Sequence, residues 1–189
     1  MSGHDGNNAG VIWITGLSDS GKTTVGRLLA DRLRSCGNSV VRLDGDELRR
    51  IFVGSKGYDR TARLRLAYQY SGLCEVLAEQ GHVVVISAIA MFEEIYKWNR
   101  SQLPNYFQVY LKTPMSELRR RDTKGIYEGF DRGEEKDVYG LDLKADEPKE
   151  PDFLEEFQSD RTPKIVVEDI LDSWYYARKK EKGCELVRS

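Results

Sequence analysis

Short apolar runs alternate with longer stretches of helical spacing along most of the chain. Val11–Thr15 is a mostly apolar run rich in β-branched residues, which predicts a buried strand ended by Gly16. From Gly21 to about Ser35, Val25, Leu28, Leu29 and Leu33 recur at helical spacing, and Gly37-Asn38 stops that helix. Val40–Leu43 predicts a second strand ending in Asp44, followed by a short helix that Asp46 is placed to N-cap. Leu66, Tyr70, Leu73, Leu77 and Ala78 form one face of a longer helix closed by Gly81. Val83–Ile86 predicts a third strand, Phe92 to about Leu103 a helix, and Tyr106–Leu111 a fourth strand. Pro114 suits the first turn of a helix reaching Arg121. Lys164–Val167 is the expected fifth strand, with a terminal helix over Ile170–Lys182.

Strands that alternate with helices imply βαβ units, hence a parallel sheet covered on both faces. The expected architecture is one α/β domain over residues 11–189, preceded by a flexible tail over residues 1–10. From Asp122 to Pro163 no periodicity is strong, and Gly, Pro and charge dominate; about forty residues is too long for a passive connection, so a lid is expected there.

Composition narrows the function. The 29 basic and 31 acidic residues give a net charge of −2, which argues against a nucleic-acid or anionic-membrane binder. No apolar run approaches the ~20 residues that cross a bilayer, and MSGHDGNNAG is no secretory signal. Cys36, Cys74 and Cys184 have no metal-like spacing; reduced thiols and a cytoplasmic location are expected. The distribution is uneven: Asp131–Asp160 holds twelve acids against four bases. That stretch falls in the lid, where Lys124 and Lys136 are expected to face inward and the acids outward.

Gly16-Leu-Ser-Asp-Ser-Gly21-Lys22-Thr23 matches G-x-x-x-x-G-K-[ST] between a predicted strand and a predicted helix. This is a P-loop: the glycines let backbone N–H groups face phosphate oxygens, and the helix N-terminus adds about half a positive charge. The fold class is therefore a P-loop NTPase, a three-layer α/β/α arrangement with a five-stranded parallel sheet and a lid. Lys22 is expected at the β/γ-phosphates and Thr23 at Mg²⁺, while Asp19, beside a polyanion, is expected to turn outward. Asp44-Gly45-Asp46 puts two carboxylates at the carboxyl edge of the sheet, one for metal and one for an acceptor hydroxyl, without dividing the roles.

With GLSDSGKTT followed by LDGDELR, the chain resembles adenylylsulfate (APS) kinases. The family's D-G-D-x-x-R is similar to Asp44–Arg49, its G-F-S then D-R to Gly57-Tyr58-Asp59 then Ala62-Arg63. Its R-D-x-K-G-L-Y is similar to Arg121–Tyr127, and its G-E-x-K and G-x-D to Gly133–Lys136 and Gly140–Asp142, then Pro148 and Pro151. The register runs from about Val11 to Pro151. The resemblance implies transfer of the ATP γ-phosphoryl group, with Mg²⁺, to the 3′-hydroxyl of a nucleotide. It implies Lys22, Asp44 and Asp46 as catalytic residues, and Thr23 and Asp44 at the metal. ATP falls to Gly16, Ser18, Ser20, Gly21, Lys22, Thr23 and Thr24, with Arg119 taken from Arg119–Arg121 as the donor-base contact. The acceptor falls to Asp46, Arg49, Tyr58, Arg63 and Ile89, and in the lid to Lys124, Gly125, Ile126 and Tyr127, with Arg100 as a further candidate cation. A homodimer is also implied, Trp174-Tyr175-Tyr176 being either partner-facing or core.

Two departures fall on the acceptor side. The family's N-I-R-R falls on Leu66-Ala67-Tyr68-Gln69, and its F-I-S-P on Ala88-Ile89-Ala90-Met91. Losing one aromatic face removes about 1–3 kcal/mol of base stacking. Losing charge-assisted hydrogen bonds removes about 1.5–3 kcal/mol each. The stretch Ala90–Tyr96 with Asn99-Arg100 is similar to divergent relatives in capsular phosphoramidate synthesis, which phosphorylate the 3′-hydroxyl of cytidine 5′-diphosphoramidate. That acceptor is preferred; APS, a non-nucleotide alcohol, and a non-catalytic nucleotide sensor stand as alternatives.

Overall fold

The computed structural model describes residues 8–52 and 57–185. The expected tail lies mostly outside the described residues. The elements are β1 (Gly10–Thr15), α1 (Lys22–Ser35), β2 (Val40–Asp44), α2 (Gly45–Ile51), α3 (Arg60–Glu79), β3 (Val83–Ser87), α4 (Glu93–Gln102), β4 (Phe107–Lys112), α5 (Met115–Arg121), α6 (Ile126–Asp131), β5 (Phe153–Glu156) and α7 (Pro163–Glu185). The five strands pair in parallel in the order β2-β3-β1-β4-β5.

Strands covered on both faces read as continuous apolar runs, and β1 is buried at every residue. Its side chains alternate between two cores. Ile12 and Ile14 pack with Leu29 and Leu33 of α1 and Ile170 and Trp174 of α7. Val11 and Trp13 pack on the other face with Tyr70 and Cys74 of α3 and Phe92 and Ile95 by α4. A third, small cluster of Leu118, Tyr127 and Val138 supports the segment after α5. Trp174 is thus core, while Tyr176 is exposed. Among the described residues no helix is long and apolar enough to cross a membrane.

The structure corrects three local expectations. The fifth strand is Phe153–Glu156, not Lys164–Val167. The latter run forms the first turns of α7, because Pro163 presets a helical φ and the Thr162 hydroxyl accepts the Ile165 N–H. Val166, Val167, Ile170, Leu171 and Trp174 then bury one helical face. The N-cap of α2 is Asp44, whose carboxylate accepts the Asp46 N–H at 3.0 Å; Asp46 is inside the helix. The segment expected as an irregular lid holds α6, a bridge between Tyr139 and Leu143, and β5.

Candidate active site

The phosphate loop leaves β1 at Gly16, where a Cβ would lie 2.6 Å from the Leu111 carbonyl and 2.7 Å from Ser20 Oγ; only glycine fits. Gly21 caps α1 in the left-handed conformation with no side-chain cap, so first-turn N–H groups stay available to an anion. Lys22 Nζ donates to the Leu17 carbonyl at 2.6 Å. Burial, and then the neighbouring Lys124 charge, pull its ammonium down to about 8. Ser20 Oγ is buried with no protein partner.

Thr23 Oγ1 donates to Asp44 Oδ2 at 2.8 Å, joining the loop to the end of β2. Asp44 is buried, and its second oxygen is held by the cap of α2. A hydroxyl beside one carboxylate is a hard oxygen set that suits Mg²⁺, which keeps waters and substrate phosphates as its other ligands. Among the described residues no cluster of three or more His, Cys, Asp or Glu is arranged as a self-sufficient metal site. Together with the unpartnered Ser20 hydroxyl and the bare α1 N-terminus, this donor set fits a metal-bound polyphosphate.

Beyond Asp44 the loop opens into a cavity of about 680 Å³. That is within the range of small-molecule sites. Asp46 lies on its wall, ion-paired with Lys124. Arg49 stacks on the Tyr58 ring, 4.0 Å from its centroid, and donates to the Gly57 carbonyl. Arg63 lies between two rings, 5.3 Å from the Tyr58 centroid and 4.8 Å from that of Tyr139. Its Nη2 donates to the Asp137 carbonyl at 2.8 Å, and burial lowers its pKa. No ion pair joins Arg49 or Arg63 to a carboxylate among the described residues.

The cavity therefore gathers Ser18, Gly21, Lys22, Thr23, Thr24, Asp44, Asp46, Arg49, Tyr58, Arg63, Ile89, Lys124 and Ile126 from the expected site. Gly16 and Ser20 underlie the loop. Gly125 is the left-handed N-cap of α6, and Tyr127 is buried outside the cavity wall, its hydroxyl donating to the Ser18 carbonyl at 3.1 Å. Arg119 lies outside the lining, paired with Asp131; Arg121, two residues on, lines the cavity and donates to the Asp19 carbonyl. Arg100 pairs with Asp152. Lys136 is exposed and outside the lining, so of the two cations expected to face inward only Lys124 does.

Sequence reasoning did not single out Thr123, Val138 or Tyr139, which also line the cavity. Asp19 does not simply turn outward; its carboxylate accepts the Thr123 hydroxyl. Leu66, Ala67 and Ala88 form an apolar part of the cavity wall, while Tyr68 packs edge-on against Trp98, away from it.

A model of the adenylylsulfate kinase family matches residues 8–155. The cytidine diphosphoramidate kinase of Campylobacter jejuni is 42% identical over 143 residues, covering 76% of this chain and 84% of the relative. The adenylyl-sulfate kinase of a Picosynechococcus species is 32% identical, with 75% and 80% covered. Among solved structures, the Mycobacterium tuberculosis APS kinase CysC in complex with AMPPNP and APS superposes with a TM-score of 0.81 at 30% identity, covering 87% of this chain and 96% of that one. This chain belongs to the adenylylsulfate kinase family of phosphotransferases.

Proposed function

We propose that this chain transfers the γ-phosphoryl group of ATP, bound with Mg²⁺, to the 3′-hydroxyl of cytidine 5′-diphosphoramidate. The acceptor wall carries the reading. Leu66 and Ala88 line the cavity where the resemblance sets an amide and an aromatic ring in APS kinases. The relative named for the cytidine acceptor is 42% identical, against 32% for the cyanobacterial APS kinase. A pyrimidine is smaller than adenine and needs less of a stacking slot.

In this reading the loop from Gly16 to Thr24 cradles the donor phosphates, and Lys22 neutralises charge on the transferring group. Thr23 and Asp44 hold Mg²⁺, which when bound neutralises charge on the β- and γ-oxygens. Arg49 and Arg63 are free of carboxylate partners among the described residues and bind the acceptor's anionic 5′ group. Asp46 receives the proton of the 3′-hydroxyl as its oxygen attacks the γ-phosphorus and the bond to ADP breaks. The same reading carries a cytoplasmic location and a homodimer.

Incubation with ATP·Mg²⁺ and cytidine 5′-diphosphoramidate, CDP, APS or ADP tests it, with the phosphorylated position read by NMR. The expected result is a 3′-phosphate on the cytidine acceptor and slower turnover of APS. Preference for APS overturns the acceptor assignment. ATP binding without turnover of any acceptor identifies a nucleotide sensor instead.

A further inference from the structure

Asp19 stands in the phosphate loop at φ +59°, a region L side chains rarely adopt and glycine enters freely. Its carboxylate Oδ1 accepts the Thr123 hydroxyl and, at 3.4 Å, the Thr123 N–H. The Ser18 hydroxyl donates to Oδ2 at 3.3 Å. Its carbonyl accepts Arg121 Nη1 at 3.0 Å, while the Ser18 carbonyl accepts the Tyr127 hydroxyl. Two adjacent residues of the loop thus anchor the segment 121–127 at several points. The residue after Thr123 is Lys124, which pairs with Asp46 across the cavity mouth.

We propose that Asp19 is a positioning residue: through Thr123 it fixes the base of the lid, and so holds Lys124 against Asp46. A carboxylate beside a polyphosphate is electrostatically adverse, and a non-glycine residue there carries backbone strain. Both costs fit a residue retained for its link to the lid, since the Thr123 donors turn its charge toward the lid. The catalytic consequence rests on the kinase reading. A lid base fixed to the phosphate loop keeps water from the γ-phosphoryl group and presents Lys124 and Asp46 to the acceptor as one unit.

Amide hydrogen exchange of the nucleotide-free, full-length protein tests the link directly. In Asp19→Gly and in Thr123→Val, the peptide spanning 121–131 exchanges about fivefold faster, the effect of one lost hydrogen bond. The double variant exchanges no faster than either single one. Asp19→Asn keeps the acceptor oxygen, tolerates the left-handed backbone and restores protection. Asp19→Gly melts at or above the wild-type temperature, because glycine relieves the strained φ. In turnover, Asp19→Gly raises the KM of the acceptor that wild type uses, and raises ATP hydrolysis relative to transfer, while the KM of ATP stays the same or falls as the adverse carboxylate is removed. Unaltered exchange, additive single effects, or a change confined to the KM of ATP overturns the positioning role. An intact exchange effect in a wild-type protein that turns over neither acceptor nor ATP overturns the kinase reading instead.

Discussion

The proposed donor and acceptor halves of the cavity are built from different materials. The donor half is nine consecutive residues, Gly16–Thr24, whose binding groups are mostly backbone N–H donors at the start of α1. Its geometry is set by a close approach to the Leu111 carbonyl and by Thr23 on Asp44. The acceptor half comes from separate pieces: Asp46 and Arg49 on α2, Tyr58 just before α3, Arg63 and Leu66 on α3, Ala88 and Ile89 after β3, and Lys124 after α5. Its binding groups are side chains. Backbone recognition of phosphate does not depend on which side chains surround it, so the donor half tolerates little change in the loop and needs none elsewhere. An acceptor wall made of side chains can be exchanged residue by residue without moving the sheet, as Leu66 and Ala88 illustrate.

The sharpest way to break that comparison is to remove the cationic side chain of the donor half. Lys22→Ala lowers transfer to every acceptor by about 10²–10³-fold. The melting temperature is held or raised, because a desolvated ammonium is removed from the fold. Steady-state kinetics with a thermal melt check both, and retained turnover breaks the donor-half assignment. The acceptor half responds differently. Arg63→Ala raises the acceptor KM by about 10–100-fold, the worth of one charge-assisted hydrogen bond, and leaves the KM of ATP within about twofold. Equal changes in both constants show that the two halves are not separable through Arg63.

The same contrast governs what could be read from sequence. The donor half is contiguous, so its glycines, Lys22 and Thr23 were legible as one motif between a strand and a helix. The three inner strands, β1, β3 and β4, were legible because a sheet covered on both faces demands largely apolar runs, and the edge strand β2 was legible from its Val-Val start. β5 was not, since Phe-Leu-Glu-Glu on a sheet edge alternates half-buried and exposed residues and carries two charges. Lys164–Val167 carries a stronger β signal, yet Thr162 and Pro163 start a helix there. Arg119 and Arg121 were not separable without the phase of α5: at about 100° per residue, two positions turn one from solvent to the phosphate loop. The ties of Asp19 depend on a left-handed φ and on a partner 104 residues away, and neither has a local signature.

The smallest effect probes the electrostatics of the donor half. Lys22 is drawn from 10.5 to about 8 by desolvation and by Lys124, with Asp46, Asp19 and Asp44 opposing. A folded-state pKa below the unfolded value means that the unfolded chain binds more protons between about pH 8 and 10.5. This group's contribution to stability therefore rises with pH through that window and is constant below it. A polyphosphate against Nζ favours the ammonium, so Lys22 takes up as much as about one proton per site when nucleotide binds near pH 8.5 and contributes none near pH 6.5. Calorimetric titration of ADP in two buffers of different ionisation enthalpy reads that proton. Lys22→Arg keeps the charge in a group that does not titrate here, and the uptake disappears. Equal uptake in that variant places the titrating group elsewhere and overturns the assignment to Lys22.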